Sequence, residues 1–455
     1  MRLSLLVLLV AVACAAPTKS ADRGSDSAAS AEPPPVEWPD WAWHHWVWED
    51  ESTQESAIAL VEDYLAHDIP VGAIIIDSPW ATGYSTYEWD PALFADPQGM
   101  IDHLHSLGVR VVVWTVPGIN VDTPGLYDEA ADKGYFMTQG PDSGPAVVDW
   151  WKGDGSLIDY GNPEAVEWWH GLVDRTLDLG IDGWKCDGLD YSVLLAPYSP
   201  GLGANMERLD YSHAYYRDFW DYTRARLGND RLVMARPIDN YGANVGGDWA
   251  AFAPVDINFA AWVGDQDSDF GGLEAALNNL YYSAEYGYLS YGSDIGGYRE
   301  DGSELGRTKE VFIRWAQLGA LNPVMENGGG GEHRPWAFDE TTTDIYRGLV
   351  ELHYALLPYL TEHGAIAFAE GGSLMTFLDD ETYRYLLGPD IFVQPVFTAG
   401  DQFTVQFPEE GRWVWLYDPS MTFDAGTSAE LNVPLERYPV FLREDSAVAS
   451  ELLSR

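Results

Sequence analysis

A closed (β/α)8 barrel followed by a small β-sandwich is the fold class this sequence predicts, and three observations predict it. From about Ala42 onward, short β-rich apolar runs alternate with amphipathic, helix-like segments, which is the rhythm of βα units. These runs reach the count of strands that closes a barrel. After about Gly364 the pattern changes to short alternating strands separated by Gly, Pro and Asp turns, which reads as a sandwich. At 455 residues the chain also exceeds what one core commonly supports, so a large domain with a smaller companion is expected.

Taken in order, the chain begins with Met1-Arg2 and the apolar run Leu3 to Ala13. This start has the charge, length and small-residue exit of an export signal and is too short to span a bilayer. Two processing readings stand side by side: cleavage after Ala13-Cys14-Ala15, or a bacterial lipobox at Ala11-Val12-Ala13-Cys14 that lipidates Cys14. Ser20 to Pro35, rich in Ser, Ala, Asp and Pro, reads as a disordered tether. The expected layout is a signal over 1–15, a tether over 16–36, the barrel over 37–363 and the sandwich over 364–455. The protein is expected to be exported, whether periplasmic, extracellular or held at the cell envelope, with membrane contact only through a lipid on Cys14.

The eight barrel strands are expected at His44 to Trp48, Ala73 to Asp77, Arg110 to Trp114, Gly183 to Asp187, Arg231 to Arg236, Ile257 to Asp265, Tyr288 to Tyr291 and Pro323 to Glu326. Between them, Asn162-Pro163-Glu164 supplies a helix cap, a first-turn proline and a first-turn acid. Val166, Trp169, Val173 and Leu177 then recur at helical spacing until Gly180. Gly271 to Tyr286 and Thr343 to Leu360 read as further helices, the second ending near Gly364. The sandwich strands are expected at Tyr383 to Leu387, Ile391 to Val393, Phe403 to Val405, Trp413 to Leu416 and Val440 to Leu442.

Polar and aromatic residues collect at the strand exits: Asp77, Trp114, Lys185 with Asp187, Arg236, Trp262 with Asp265, Asp294 and Glu326. In a barrel of this kind the C-terminal strand ends build the active site, and a purely structural barrel has no need of charge at so many exits. Lys185 and Asp187 are two apart, so both face the mouth, and the ammonium favours the ionised form that a carboxylate nucleophile requires. Asp265 stands among Asp267 and Asp269, whose charge opposes its ionisation. One ionised and one protonated carboxyl is the division of labour of a retaining glycosidase. Trp114 and Trp262 at strand ends suit stacking walls for sugar rings, while strand alternation puts Trp184 in the core.

Composition narrows the partners. A net charge of −47 with five lysines repels nucleic acid and anionic membranes, and points to a salt-adapted organism. Besides Cys14 there is only Cys186, so no intramolecular disulfide is expected, and alternation turns Cys186 away from the mouth as a buried small hydrophobe. The acidic run at 265 to 269 fails as a calcium loop, because Phe270 stands where Gly is needed and Ala276 where Glu is needed. Gly328 to Gly331 lacks the Gly-Lys-Ser/Thr of a phosphate cradle, and His333 beside Glu332 has no partner at metal-ligand spacing.

Several motifs together resemble family 31 of the glycoside hydrolases: Ser293-Asp294-Ile295-Gly296-Gly297-Tyr298, Arg314-Trp315-Ala316-Gln317-Leu318-Gly319-Ala320, Trp262-x-Gly264-Asp265, Lys185-x-Asp187 and Leu387 to Val396. The resemblance covers about Trp38 to Arg443. It implies a retaining exo-acting α-glycosidase without cofactor or metal, acting on carbohydrate. Asp187 then resembles the nucleophile and Asp265 the general acid/base; Asp77, Trp114, Arg236 and Trp262 resemble residues lining the terminal-sugar pocket, and Lys185, Asp294 and Glu326 are expected to join them.

Departures from the family pattern bear on the sugar. Members commonly carry an N-terminal β-sandwich that lends a loop to the pocket, and here the barrel is expected to follow the tether almost directly. Many have Arg-Asn-His where this chain has Glu326-Asn327-Gly328, which removes a sugar-binding histidine and adds a carboxylate. Asp190 stands where Glu is common. Lys185 is more similar to the α-xylosidases and α-galactosidases than to the α-glucosidases. Gly264-Asp265-Gln266 is similar to the sulfoquinovosidases, but Ser78 to Tyr84 holds no arginine for a sulfonate. A non-catalytic carbohydrate-binding protein, and lyase or transglycosylase chemistry on the same scaffold, are the alternatives.

Overall fold

The computed structural model describes residues 38–123, 125–240 and 250–454; the expected export signal, Cys14 and the tether lie outside the described residues. Eight parallel strands make the barrel: β1 His45–Glu49, β2 Ala73–Ile76, β3 Arg110–Thr115, β4 Gly183–Cys186, β5 Leu232–Ala235, β6 Ala260–Val263, β7 Gly292–Ser293 and β8 Met325–Asn327. Their order is 7-6-5-4-3-2-1-8, with Trp46 of β1 opposite Glu326 of β8. The Ile295 amide donates to the Glu326 carbonyl at 3.2 Å, which ties the end of β7 to β8 and closes the ring. Strands such as Ala73-Ile74-Ile75-Ile76 are buried along their whole length, because the barrel interior takes one face and the helical ring the other.

Two expected elements are corrected. The seventh strand pairs only at Gly292–Ser293, not over Tyr288 to Tyr291. There the Leu289 carbonyl accepts from the Leu374 amide at 3.0 Å, and Ser290 Oγ donates to the Phe259 carbonyl at 2.6 Å. Those bonds hold the run outside the ladder. The last barrel helix runs from Glu340 to Glu370 rather than ending near Gly364. Gly364 is a contact site, since a Cβ there would stand 2.5 Å from the Trp43 ring, and the left-handed cap is Gly371. The helix that begins after Asn162 forms as expected over Pro163–Leu177, with the Asn162 side chain accepting from the Glu164 amide.

The C-terminal domain is antiparallel: β9 Met375–Phe377, β10 Tyr385–Leu387, β11 Ile391–Val393, β12 Gln402–Gln406, β13 Arg412–Trp415, β14 Asp418–Asp424, β15 Ser428–Asn432 and β16 Val440–Arg443. A six-stranded sheet in the order 9-10-11-16-13-14 faces a two-stranded sheet of β12 and β15. Strand alternation divides the larger sheet. Ile391, Val393, Val440 and Leu442 join the barrel's hydrophobic core, while Phe392, Phe441, Trp413 and Trp415 pack with Val405 and Leu431 of the small sheet.

Candidate active site

The mouth of the barrel opens into a cavity of about 360 Å3. Asp77, Trp114, Lys185, Asp187, Arg236, Trp262 and Asp265 all line it, so seven residues from five strand ends converge on one space. Asp187 is the best held. Its Oδ1 accepts from Arg236 Nε at 2.9 Å and from the Gly188 amide at 2.7 Å, and its Oδ2 accepts from the Trp114 indole at 3.1 Å. Burial pushes this carboxyl up, but Arg236 foremost, then Lys185 and the bonds from Gly188 and Trp114, outweigh it and hold Asp187 below the usual carboxylate range. The surroundings therefore favour the anion even though the carboxyl is largely buried.

Lys185 faces the mouth and favours ionised Asp187 as expected, but not through direct contact. Lys185 pairs directly with Asp77, at 2.8 Å, and stacks its ammonium 3.6 Å from the centre of the Trp48 ring. Arg236 is the cation that touches Asp187. Its guanidinium also donates from Nη2 to Asp265 Oδ1 at 3.1 Å and from Nη1 to Asp239. Burial alone would lower the Lys185 amine, and Asp77, Asp294 and Glu326 more than reverse that, so it stays charged.

Asp265 sits just past β6 with φ of 66°, a left-handed backbone that non-glycine residues seldom take. Its side chain is 29 % exposed, against 12 % for that of Asp187, so it is the more open of the two carboxylates. Of its acidic neighbours in the sequence, Asp267 lies 3.8 Å from Arg299, and Asp269 caps the helix Phe270–Tyr286 through the Gly272 amide. Arg236 and the backbone bond to Asp294 are what hold Asp265.

Asp294 and Glu326 are brought to the site but stand behind its wall, both fully buried. Glu326 accepts from the Trp48 indole at 2.6 Å, and Asp294 Oδ2 accepts from the Asp265 amide at 3.1 Å. A Cβ on Gly328 would lie 2.3 Å from the Trp48 ring, so glycine at 328 and tryptophan at 48 fit each other.

The sequence reading missed Trp48, Asp50, Asp239, Tyr298 and the Trp151-Lys152 turn. All but Asp239 line the cavity, and Asp239 lies beneath it on Arg236. Trp48 and Asp50 stand at the exit of β1, where the strand-end rule already pointed. Trp151 and Lys152 lie between Val148–Trp150 and Gly153–Leu157, two strands of a three-stranded sheet inserted between β3 and β4. Burial of Asp50 and the neighbouring Asp77 raise its carboxyl to about 6. Cys186 and Trp184 are buried in the core, as alternation requires, and His333 is buried against the Ile295 and Gly330 carbonyls.

A model of the family 31 glycosyl hydrolase TIM-barrel domain matches residues 35–363, and one of the family's C-terminal domain matches 372–448. The chain belongs to glycosyl hydrolase family 31. It is 28 % identical over 420 residues to the α-xylosidase XylQ of Lactiplantibacillus pentosus, covering 87 % of this chain and 52 % of the relative. It is 29 % identical over 366 residues to a sulfoquinovosidase of Agrobacterium fabrum, covering 76 % of this chain and 53 % of the relative. Its fold matches a family 31 α-xylosidase from a soil metagenome, complexed with xylose, with a TM-score of 0.75 at 23 % identity over 92 % of this chain and 65 % of that one. This family 31 chain spans about half the length of the curated relatives it matches.

Proposed function

We propose that this family 31 chain is a retaining exo-α-glycosidase that removes terminal α-linked sugars, of the xylosidase, galactosidase or glucosidase type. The observation that carries the reading is the single guanidinium of Arg236, which holds both Asp187 and Asp265 on one cavity. Two carboxylates held by one side chain fit the short separation of a nucleophile and an acid/base.

Asp187, kept anionic, attacks the anomeric carbon, while Asp265 protonates the departing glycosidic oxygen. The ester that forms removes the Asp187 charge. Arg236 then keeps its bonds to Asp239 and Asp265, and Asp265, having given up its proton, takes one from the incoming water. The ester bond to Asp187 breaks as the water oxygen joins the anomeric carbon, and the starting configuration is restored. Trp262 and Trp48 supply apolar walls for the ring, and the Lys185–Asp77 pair supplies a charged donor and acceptor for its hydroxyls.

Export and salt adaptation belong to the same proposal, supported by the leader-like Met1 to Ala13 and the net charge of −47. Asp187→Asn should lower kcat by about 10⁴-fold or more, and Asp265→Asn by about 10²- to 10⁴-fold on an unactivated glycoside. Both variants should keep the wild-type circular dichroism spectrum. Near-normal turnover by either folded variant would overturn the assignment.

A further inference from the structure

Beneath the Trp48 side of the pocket two acids meet where no cation separates them. Asp294 is fully buried after β7 and Glu326 is fully buried on β8, and the Ile295 amide to Glu326 carbonyl bond sets their backbones side by side. Their carboxyl groups are within hydrogen-bonding reach of each other. Each spends one oxygen on a neighbour: Asp294 Oδ2 on the Asp265 amide, Glu326 Oε2 on the Trp48 indole. The remaining oxygens, Asp294 Oδ1 and Glu326 Oε1, are buried with no hydrogen-bond donor among the described residues.

Two ionised carboxylates in that position would leave two buried lone-pair sites unmet and two like charges in contact. One proton between them resolves both costs. We infer that Asp294 and Glu326 share a single proton and act as one positioning pair, fixing the Trp48 wall through Glu326 and the left-handed Asp265 backbone through Asp294. The inference rests on the glycosidase reading only where it predicts turnover. The groups facing the pair are Lys185 from β4, Asp77 from β2, Asp265 after β6, Arg307 beyond β7 and Tyr346 from the last barrel helix. Lys185 is the cation that bears on both acids, but it is already paired with Asp77, so a second ionised carboxylate in the pair would be left without a counter-charge of its own. Burial, and then the neighbouring Glu326, raise Asp294 well above the usual carboxylate range, whereas burial raises Glu326 against the hydrogen bond with Asp294, which lowers it.

Because both acids are raised in the folded protein, the stability they contribute is full below the ordinary carboxylate range and falls as pH rises through their folded values. Glu326→Gln replaces the shared proton with a permanent amide donor and keeps an acceptor for Trp48. Infrared difference spectra of wild type minus Glu326→Gln at neutral pH should show the carbonyl stretch of a protonated carboxylic acid. The alkaline fall in Tm should be shallower in Glu326→Gln. Glu326→Gln should retain kcat within a few-fold, whereas Glu326→Ala should lose about 10²-fold through misplacement of Asp265 and Trp48.

Absence of the protonated-acid band, or an unchanged Tm profile in Glu326→Gln, would overturn the shared proton. Equal loss of kcat in the Gln and Ala variants would overturn the positioning role. The infrared and Tm measurements need no turnover, so they stand or fall apart from the glycosidase assignment.

Discussion

Two buried arginines show how the same side chain is put to opposite uses in this molecule. Arg236, at the barrel mouth, meets three carboxylates: Asp187, Asp239 and Asp265. Arg314, at the seam with the C-terminal domain, meets backbone carbonyls instead, donating to Arg437 at 3.0 Å, Val433 at 2.6 Å and Gly400 at 3.3 Å. Gln317, one turn on, donates to the Leu435 and Arg437 carbonyls at 2.6 and 3.1 Å. Carbonyl acceptors neither titrate nor react, so no acceptor of Arg314 at the seam gains or loses charge as pH changes. Carboxylate acceptors do both, so the mouth is rigid only while its charges are balanced, and that balance is what chemistry alters.

The comparison breaks most readily at the mouth. Arg236→Met should lower kcat/KM by about 10²- to 10³-fold, because a preorganised charge is removed from the reacting carboxylates. It should also move the acid limb of the pH profile upward. In the wild type Asp187 is held low, so it stays ionised, and its contribution to stability stays in place, above the ordinary carboxylate range; both are lost as pH falls through its depressed folded value. Without Arg236 the loss begins at higher pH. An unshifted acid limb, measured on an activated aryl α-glycoside, would remove Arg236 from this role.

At the seam the effect should fall on stability alone. Arg314→Met leaves the Val433 and Gly400 carbonyls without their donor and should cost about 2–4 kcal/mol, read by urea denaturation, with kcat/KM per folded molecule unchanged. A loss of activity at wild-type stability would mean that the seam reaches the site. The smallest effect is expected at Gly364, against the Trp43 ring. Overpacking by Gly364→Ala costs about 1–3 kcal/mol and helix propensity returns about 1, so a net loss on the order of 1 kcal/mol should appear in the same titration.

The same pair of arginines shows what sequence can and cannot deliver. Period-two alternation placed Lys185 and Asp187 together at one strand end and turned Trp184 and Cys186 away, because side-chain direction in a strand is a local property. It could not tell which cation Asp187 meets, since Arg236 comes from another strand and the choice depends on reach across the barrel. The Arg314 to Ala320 motif carried family resemblance without showing that it serves the domain seam, for the same reason. Trp48 was legible as a strand exit, but its fit to Gly328 and Glu326 joins β1 to β8, the two ends of the barrel sheet in the sequence. Trp151 and Lys152 reach the cavity from an insert with no barrel rhythm to announce it.

The central claim is that Asp187 is the group that takes the sugar. Incubation with a fluorinated α-glycosyl fluoride that forms the glycosyl ester quickly and releases it slowly, followed by proteolysis and mass spectrometry, tests it directly. The account predicts one added sugar per chain, on the peptide containing Asp187, and no label in Asp187→Asn. A label on another carboxylate, or full turnover of the reagent with no ester formed, would contradict it.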